Sequence, residues 1–95
     1  MKTLIEGATA QLDIDLPKDD GTLEVISGYD VSAQWMAGSS VTPPVPACAN
    51  VTTTKWVVLG ATDGLGGRVV ALRVTATDPV GGEVYIADHP YMITK

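Results

Sequence analysis

The chain has 95 residues, enough for one small domain. Its 45% hydrophobic and 18% charged residues suit a folded domain and exclude a disordered one. The net charge of −5 falls within residues 1–30, where seven acids face only Lys2 and Lys18, whereas residues 31–95 balance four acids with four bases. An acidic surface of this kind repels phosphate and argues against a nucleic-acid partner.

The apolar residues are mainly Val, Ile, Leu and Ala, Thr is plentiful and Phe is absent. Beta-branched residues fit pleated surfaces, and ten Gly and six Pro disfavour helices, so the chain is expected to be all-β. The single Cys48 has no intrachain disulfide partner. No stretch reaches the ~20 apolar residues of a membrane-spanning helix. "MKTLIEGATAQLDID" lacks the apolar run of a secretory leader. Asn50-Val51-Thr52 matches a glycosylation acceptor, but without a secretory route it reads as a turn leading into strand residues.

In chain order, "ATAQLDIDL" (8–16) alternates Ala10, Leu12, Ile14 and Leu16 with Gln11, Asp13 and Asp15, the period of a strand with one buried face. "PKDDG" (17–21) is a turn, and "TLEVI" (22–26) reads as a short strand broken by Ser27-Gly28. "YDVSAQWMA" (29–37) places Tyr29, Val31, Ala33 and Trp35 on one face, with Trp35 as a core anchor. The Pro-rich "GSSVTPPVPACAN" (38–50) is a loop or an edge segment. "VTTTKWVVL" (51–59) is taken as one strand, and "GATDGLGG" (60–67) as a turn with room for one helical turn. "RVVALRVTAT" (68–77) turns Val70, Leu72, Val74 and Ala76 inward. "DPVGG" (78–82) is a tight hairpin connection, followed by strands "EVYIA" (83–87) and "YMIT" (91–94). Asp88-His89-Pro90 between them is expected to form a bulge or edge kink. Short strands punctuated every 8–12 residues predict a single β-sandwich of six to seven strands spanning residues 1–95.

Chemistry is sparsely represented. One His and one Cys, 41 residues apart, do not make a zinc site. Asp13, Asp15, Asp19 and Asp20 lack the pattern of a calcium loop and read as solvated acids or as an interface. Asp88 and His89 are adjacent on a strand, so their side chains point to opposite faces and Asp88 is badly placed to orient the imidazole. Ser39, Ser40 and Cys48 could serve as nucleophiles, and nothing in the sequence brings them to His89. Cys48 has no basic neighbour and reads as a small apolar residue. No catalytic residue, metal, cofactor or small-molecule substrate is expected.

The order "EGATAQLDIDLPKDDG", a strand ending in Trp35, a variable loop, "GGRVVALRVTATDPVGGE" and a last strand resembles the small immunoglobulin-like domains of tailed-phage virion proteins. It is similar to the N-terminal domain of phage baseplate upper proteins. The resemblance implies an immunoglobulin-like sandwich without enzymatic activity that serves as a capsid, neck or tail accessory subunit. It further implies a virion location after assembly in the host cytoplasm, with other virion proteins and copies of itself as partners. No membrane partner is implied. Asp13, Asp15, Asp19, Asp20 and Trp56 are the candidate interface residues. The alternative is a module that binds protein or carbohydrate through the 38–50 and 60–67 loops, with an exposed Trp56 as stacking platform.

Overall fold

The segments with the clearest period-two alternation become the middle of the fold. A computed structural model describes every residue from Met1 to Lys95. In it β1 spans Lys2–Ile5, β2 Thr9–Ile14, β3 Asp30–Ala37 and β4 Ser40–Thr42. β5 spans Ala47–Thr52, β6 Lys55–Ala61, β7 Arg68–Thr77 and β8 Val84–Thr94, and no helix is present. β7 buries Val70, Leu72, Val74 and Ala76, and its antiparallel neighbour β3 buries Val31, Ala33 and Trp35. These are the inward positions that the alternation predicts.

Two sheets form the layers, one in the order β1-β8-β7-β3-β4 and the other β2-β6-β5. β1 runs parallel to β8, and every other pairing is antiparallel. β3-β4, β5-β6 and β7-β8 are hairpins within one sheet, and the remaining connections cross between the two layers of the β-sandwich. Trp35 ties the layers together from the middle of β3. It is fully buried, its indole N–H donates to the Ala61 carbonyl of the opposite sheet at 2.9 Å, and its ring meets Tyr91 edge-on at 5.7 Å. The indole fits because β6 presents Gly60: a Cβ there would lie 2.7 Å from Trp35 Cζ2. A glycine and a tryptophan on facing sheets thus join the layers in a chain that has no disulfide.

The sandwich has eight strands rather than six or seven. β1 is the strand the pattern missed, since four residues are too few to show alternation. "TLEVI" is not a strand. Only the single bridge Pro17↔Leu23 forms, Val25 is 61% exposed, and the segment is anchored by Ile26, whose N–H donates to Thr53 O at 2.8 Å. Pro17 and Gly21 flank a tight turn there, which leaves too little straight backbone for a ladder. Residues 51–59 do not form one strand either. β5 and β6 are a hairpin turning at Thr53-Thr54, and Asn50 Nδ2 closes it by donating to Thr52 O and Lys55 O at 2.7 and 3.1 Å. The 38–50 stretch supplies the edge strands β4 and β5. Residues 62–67 are turns without a helical one.

The expected break at Asp88-His89-Pro90 is also absent, because β8 pairs with β7 without a register shift from Val84 to Ile93. The hydrogen-bond phase explains why proline is tolerated. Asp78 N–H donates to Glu83 O at the hairpin end. Counting antiparallel pairs from there places Ala71↔Pro90 at a pair that exchanges no backbone bonds. The donor that Pro90 lacks would have pointed away from β7, so the ladder loses nothing.

Candidate protein-docking groove

Ten residues of β8, Val84–Ile93, run beside β7, but β1 accompanies the other side of β8 only at Tyr91–Thr94. The same phase that accommodates Pro90 turns the N–H groups of Val84, Ile86 and Asp88 away from β7, into a lane that no strand fills. Beside this bare edge the two sheets part. A groove of about 240 Å³ opens between the end of β2 and the β7–β8 pair, lined by Asp13, Ile14, Asp15, Leu16, Val74, Ala76, Tyr85, Ile86, Ala87 and His89. Seven of these ten are hydrophobic, so the floor is apolar and the border toward β2 is acidic.

The local sequence builds this surface directly. Tyr85, Ala87 and His89 alternate toward the groove, while Val84 and Ile86, 55% and 62% exposed, alternate toward the outer face. A strand apolar on both faces is expected when both are covered. Here neither face of Val84–Ala87 is covered completely. Further along, Asp88 faces outward and receives a two-pronged bond from Arg73 directly opposite, with Nε–Oδ1 at 2.8 Å and Nη2–Oδ2 at 3.0 Å. That pairing holds the Asp88 carboxyl below its ordinary 3.8, chiefly through the bond from Arg73. Asp88 is therefore engaged by Arg73, and His89 lies on the opposite, groove-facing side of the strand.

The topology does not bring the other nucleophiles to His89. Ser40 lies on β4, three strand positions across the sheet, or about 14 Å at ~4.8 Å per strand. Ser39 immediately precedes it, and Cys48 sits on β5 at the far edge of the other sheet. Partial burial pushes the Cys48 thiol above its usual range. No cluster of His, Cys, Asp and Glu is arranged to hold a metal ion.

The acidic candidates divide between groove and turn. Asp13 and Asp15 line the groove, and the Asp13 carboxylate lies 3.8 Å from Lys55 Nζ. Asp20 organises the 17–21 turn by accepting from Thr22 N–H at 3.0 Å and Thr22 Oγ1 at 2.6 Å, bonds that lower its pKa. Asp19 is exposed in the same turn. Trp56 is half-buried, and its indole N–H donates to Ile26 O at 2.7 Å, so it serves as a clamp on the β2–β3 connection.

The 60–67 loop is tied down at several points. Fully buried Leu65 plugs the core, and Gly64 N–H donates to Glu6 Oε2 at 2.9 Å. The fully buried Thr62 hydroxyl donates to Ala8 O at 2.6 Å and accepts from Gly7 N–H at 2.9 Å. At the hairpin end of β8, the Tyr85 hydroxyl donates to Glu83, and that bond is the main cause pushing the phenol up to about 12.

Residue-by-residue reading singles out Asp13 and Asp15 but not Ile14, Leu16, Tyr85 or Ala87 as parts of one surface. The available signal is the unbroken apolar run "VYIA" (84–87), which does not suit an edge strand facing water. Comparison with protein-family models, with curated proteins and with solved structures gives no match to this chain.

Proposed function

We propose that the chain is a non-enzymatic structural subunit of a bacteriophage particle, a capsid, neck or tail accessory that acts by packing against neighbouring proteins. The observation that carries the packing role is the bare β8 edge beside an apolar groove, a surface suited to protein and poorly suited to a compact polar substrate. The phage assignment rests on the resemblance of "EGATAQLDIDLPKDDG" and "GGRVVALRVTATDPVGGE" to virion domains. The binding-module alternative draws less support, since Trp56 is committed to Ile26 and the 60–67 loop is laced to Glu6, Gly7 and Ala8.

The test is composition. Particles purified from a lysate of cells producing the phage that encodes this chain should contain it in stoichiometric amounts by quantitative mass spectrometry. Its absence from complete particles would overturn the proposal.

A further inference from the structure

We infer that two copies of the chain join through β5, the free edge of the smaller sheet, pairing antiparallel about a twofold axis into one continuous six-stranded sheet. The inference rests on the reading of the chain as a packing subunit and names one of its neighbours. β5 ends the order β2-β6-β5, and its six residues give about 20 Å of open edge at ~3.4 Å per residue. Alternate N–H and C=O groups of an edge strand point away from its one neighbour. No backbone bond outside the β5–β6 ladder reaches Ala47–Val51. This edge lies across the sandwich from β1 and β8, since β5 packs over β3.

Edge strands are commonly guarded by charge, proline or shortness. The other edges follow that rule: β1 carries Lys2, β2 carries Asp13, and β4 has three residues and runs into Pro43-Pro44. β5 has no such guard. No charged residue occurs anywhere from Val31 to Thr54, and the one register shift lies between Asn50 and Thr52, at the hairpin end. Ala47 and Ala49 share the outer face with Leu59 and Val57 of β6. Val41, Val45 and Val51, 64%, 85% and 56% exposed, extend the same uncharged flank.

Charge selects the occupant. A neutral edge holds nothing that draws an acidic or a basic segment, whereas antiparallel self-pairing needs only the edge itself and closes after two copies. The net charge of −5 does not oppose it. In the order β2-β6-β5-β5-β6-β2 the two β2 strands, with Asp13, stand five spacings apart. That is about 24 Å at ~4.8 Å each, well beyond the screening length of ~8 Å at physiological salt. A twofold axis normal to the sheet keeps every residue on its own face. Centring it on Ala49 overlaps Ala47–Val51, leaves Pro46 and Thr52 outside the ladder, and sets Ala49 opposite its counterpart.

The experiment is sedimentation velocity on the full 95-residue chain, with amide NMR shifts on dilution locating the contact. Concentrations run from roughly 10 µM to 1 mM, the range suited to a small, transient interface. The parent should pass from monomer to dimer, with shifts centred on Ala47–Val51. Ala49→Lys and Ala49→Glu, both at an exposed site, should each raise the midpoint concentration at least about threefold, since like charges then stand directly opposite. An equimolar mixture of the two should recover the dimer as a mixed pair. Gln11→Lys adds the same charge on the exposed face of β2, at the far edge of the sheet, and should leave the midpoint unchanged.

Thermal melting checks that each variant folds, and the dilution shifts of the parent test the contact even if a variant does not. A monomer throughout the range, a dimer indifferent to both Ala49 variants, a mixture no better than either alone, or shifts centred on β8 or β2 overturns the inference. Absence of the chain from particles would remove the subunit reading without altering the solution result. A monomeric chain that is present in particles would remove only the β5 contact.

Discussion

Replacing Gly60 by alanine tests the contact that joins the two layers. The new Cβ would stand 2.7 Å from Cζ2 and 3.2 Å from Cε2 of Trp35, whereas carbon atoms pack comfortably at about 3.5–4.0 Å. The indole must therefore retreat by about 1 Å. It is fully buried, held by its bond to Ala61 O at 2.9 Å and seated edge-on against Tyr91, so no direction of retreat is free. Overpacking of this kind costs about 1–3 kcal/mol. In a domain of this size that lowers Tm by roughly 5–20 °C, read by near-ultraviolet circular dichroism during heating.

Adding Trp35→Phe to Gly60→Ala should recover part of the loss, because the smaller ring vacates the space the methyl needs. The two changes should then couple by more than about 0.5 kcal/mol. A Gly60→Ala protein that melts within about 2 °C of the parent, or strictly additive effects, would refute the packing argument.

Thr62→Val should lower stability by about 2–3 kcal/mol in urea unfolding, since an isosteric side chain leaves Ala8 O and Gly7 N–H without partners. Asp78 and Asp88 are held below their ordinary 3.8, Asp78 mainly by the Val80 N–H and Asp88 by Arg73. A depressed carboxyl contributes stability that is complete above its unfolded value and is lost as pH falls through its folded value. Tm should therefore hold from pH 7 to about 5 and drop below pH 4, with a smaller acid drop in Asp88→Asn. Ultraviolet titration should find one phenol near 12, that of Tyr85, and Glu83→Gln should move it toward 10. An unchanged curve would show that the Glu83 bond is not the cause.

The alternation of Val70, Leu72, Val74 and Ala76, and of Val31, Ala33 and Trp35, made the core of the large sheet legible, because one buried face forces period two. The turn at residues 78–82 was equally plain, since Asp, Pro and paired glycines have few other uses. Strand ends were less visible. Nothing local distinguishes a Thr53-Thr54 hairpin from a continuous β-branched strand, and four residues of β1 carry no periodic signal. Pro90 misled for a physical reason: proline breaks a ladder only where its missing N–H was needed, and that phase is set by Asp78 and Glu83, several residues away. The groove was the least legible feature, because it joins residues 13–16 to residues 74–89, and only the topology brings them together.

The proposed packing role requires the β8 edge to be open in the free chain and occupied in its assembly. Amide hydrogen exchange followed by NMR measures this residue by residue. In the isolated protein Tyr85, Ala87 and His89, which donate to β7, should exchange slowly, while Val84, Ile86 and Asp88 exchange fast. When the native neighbour is bound along this edge, all six should become slow. Uniform protection along β8 in the free chain, or fast exchange of Val84, Ile86 and Asp88 that persists in the complex, would contradict the account.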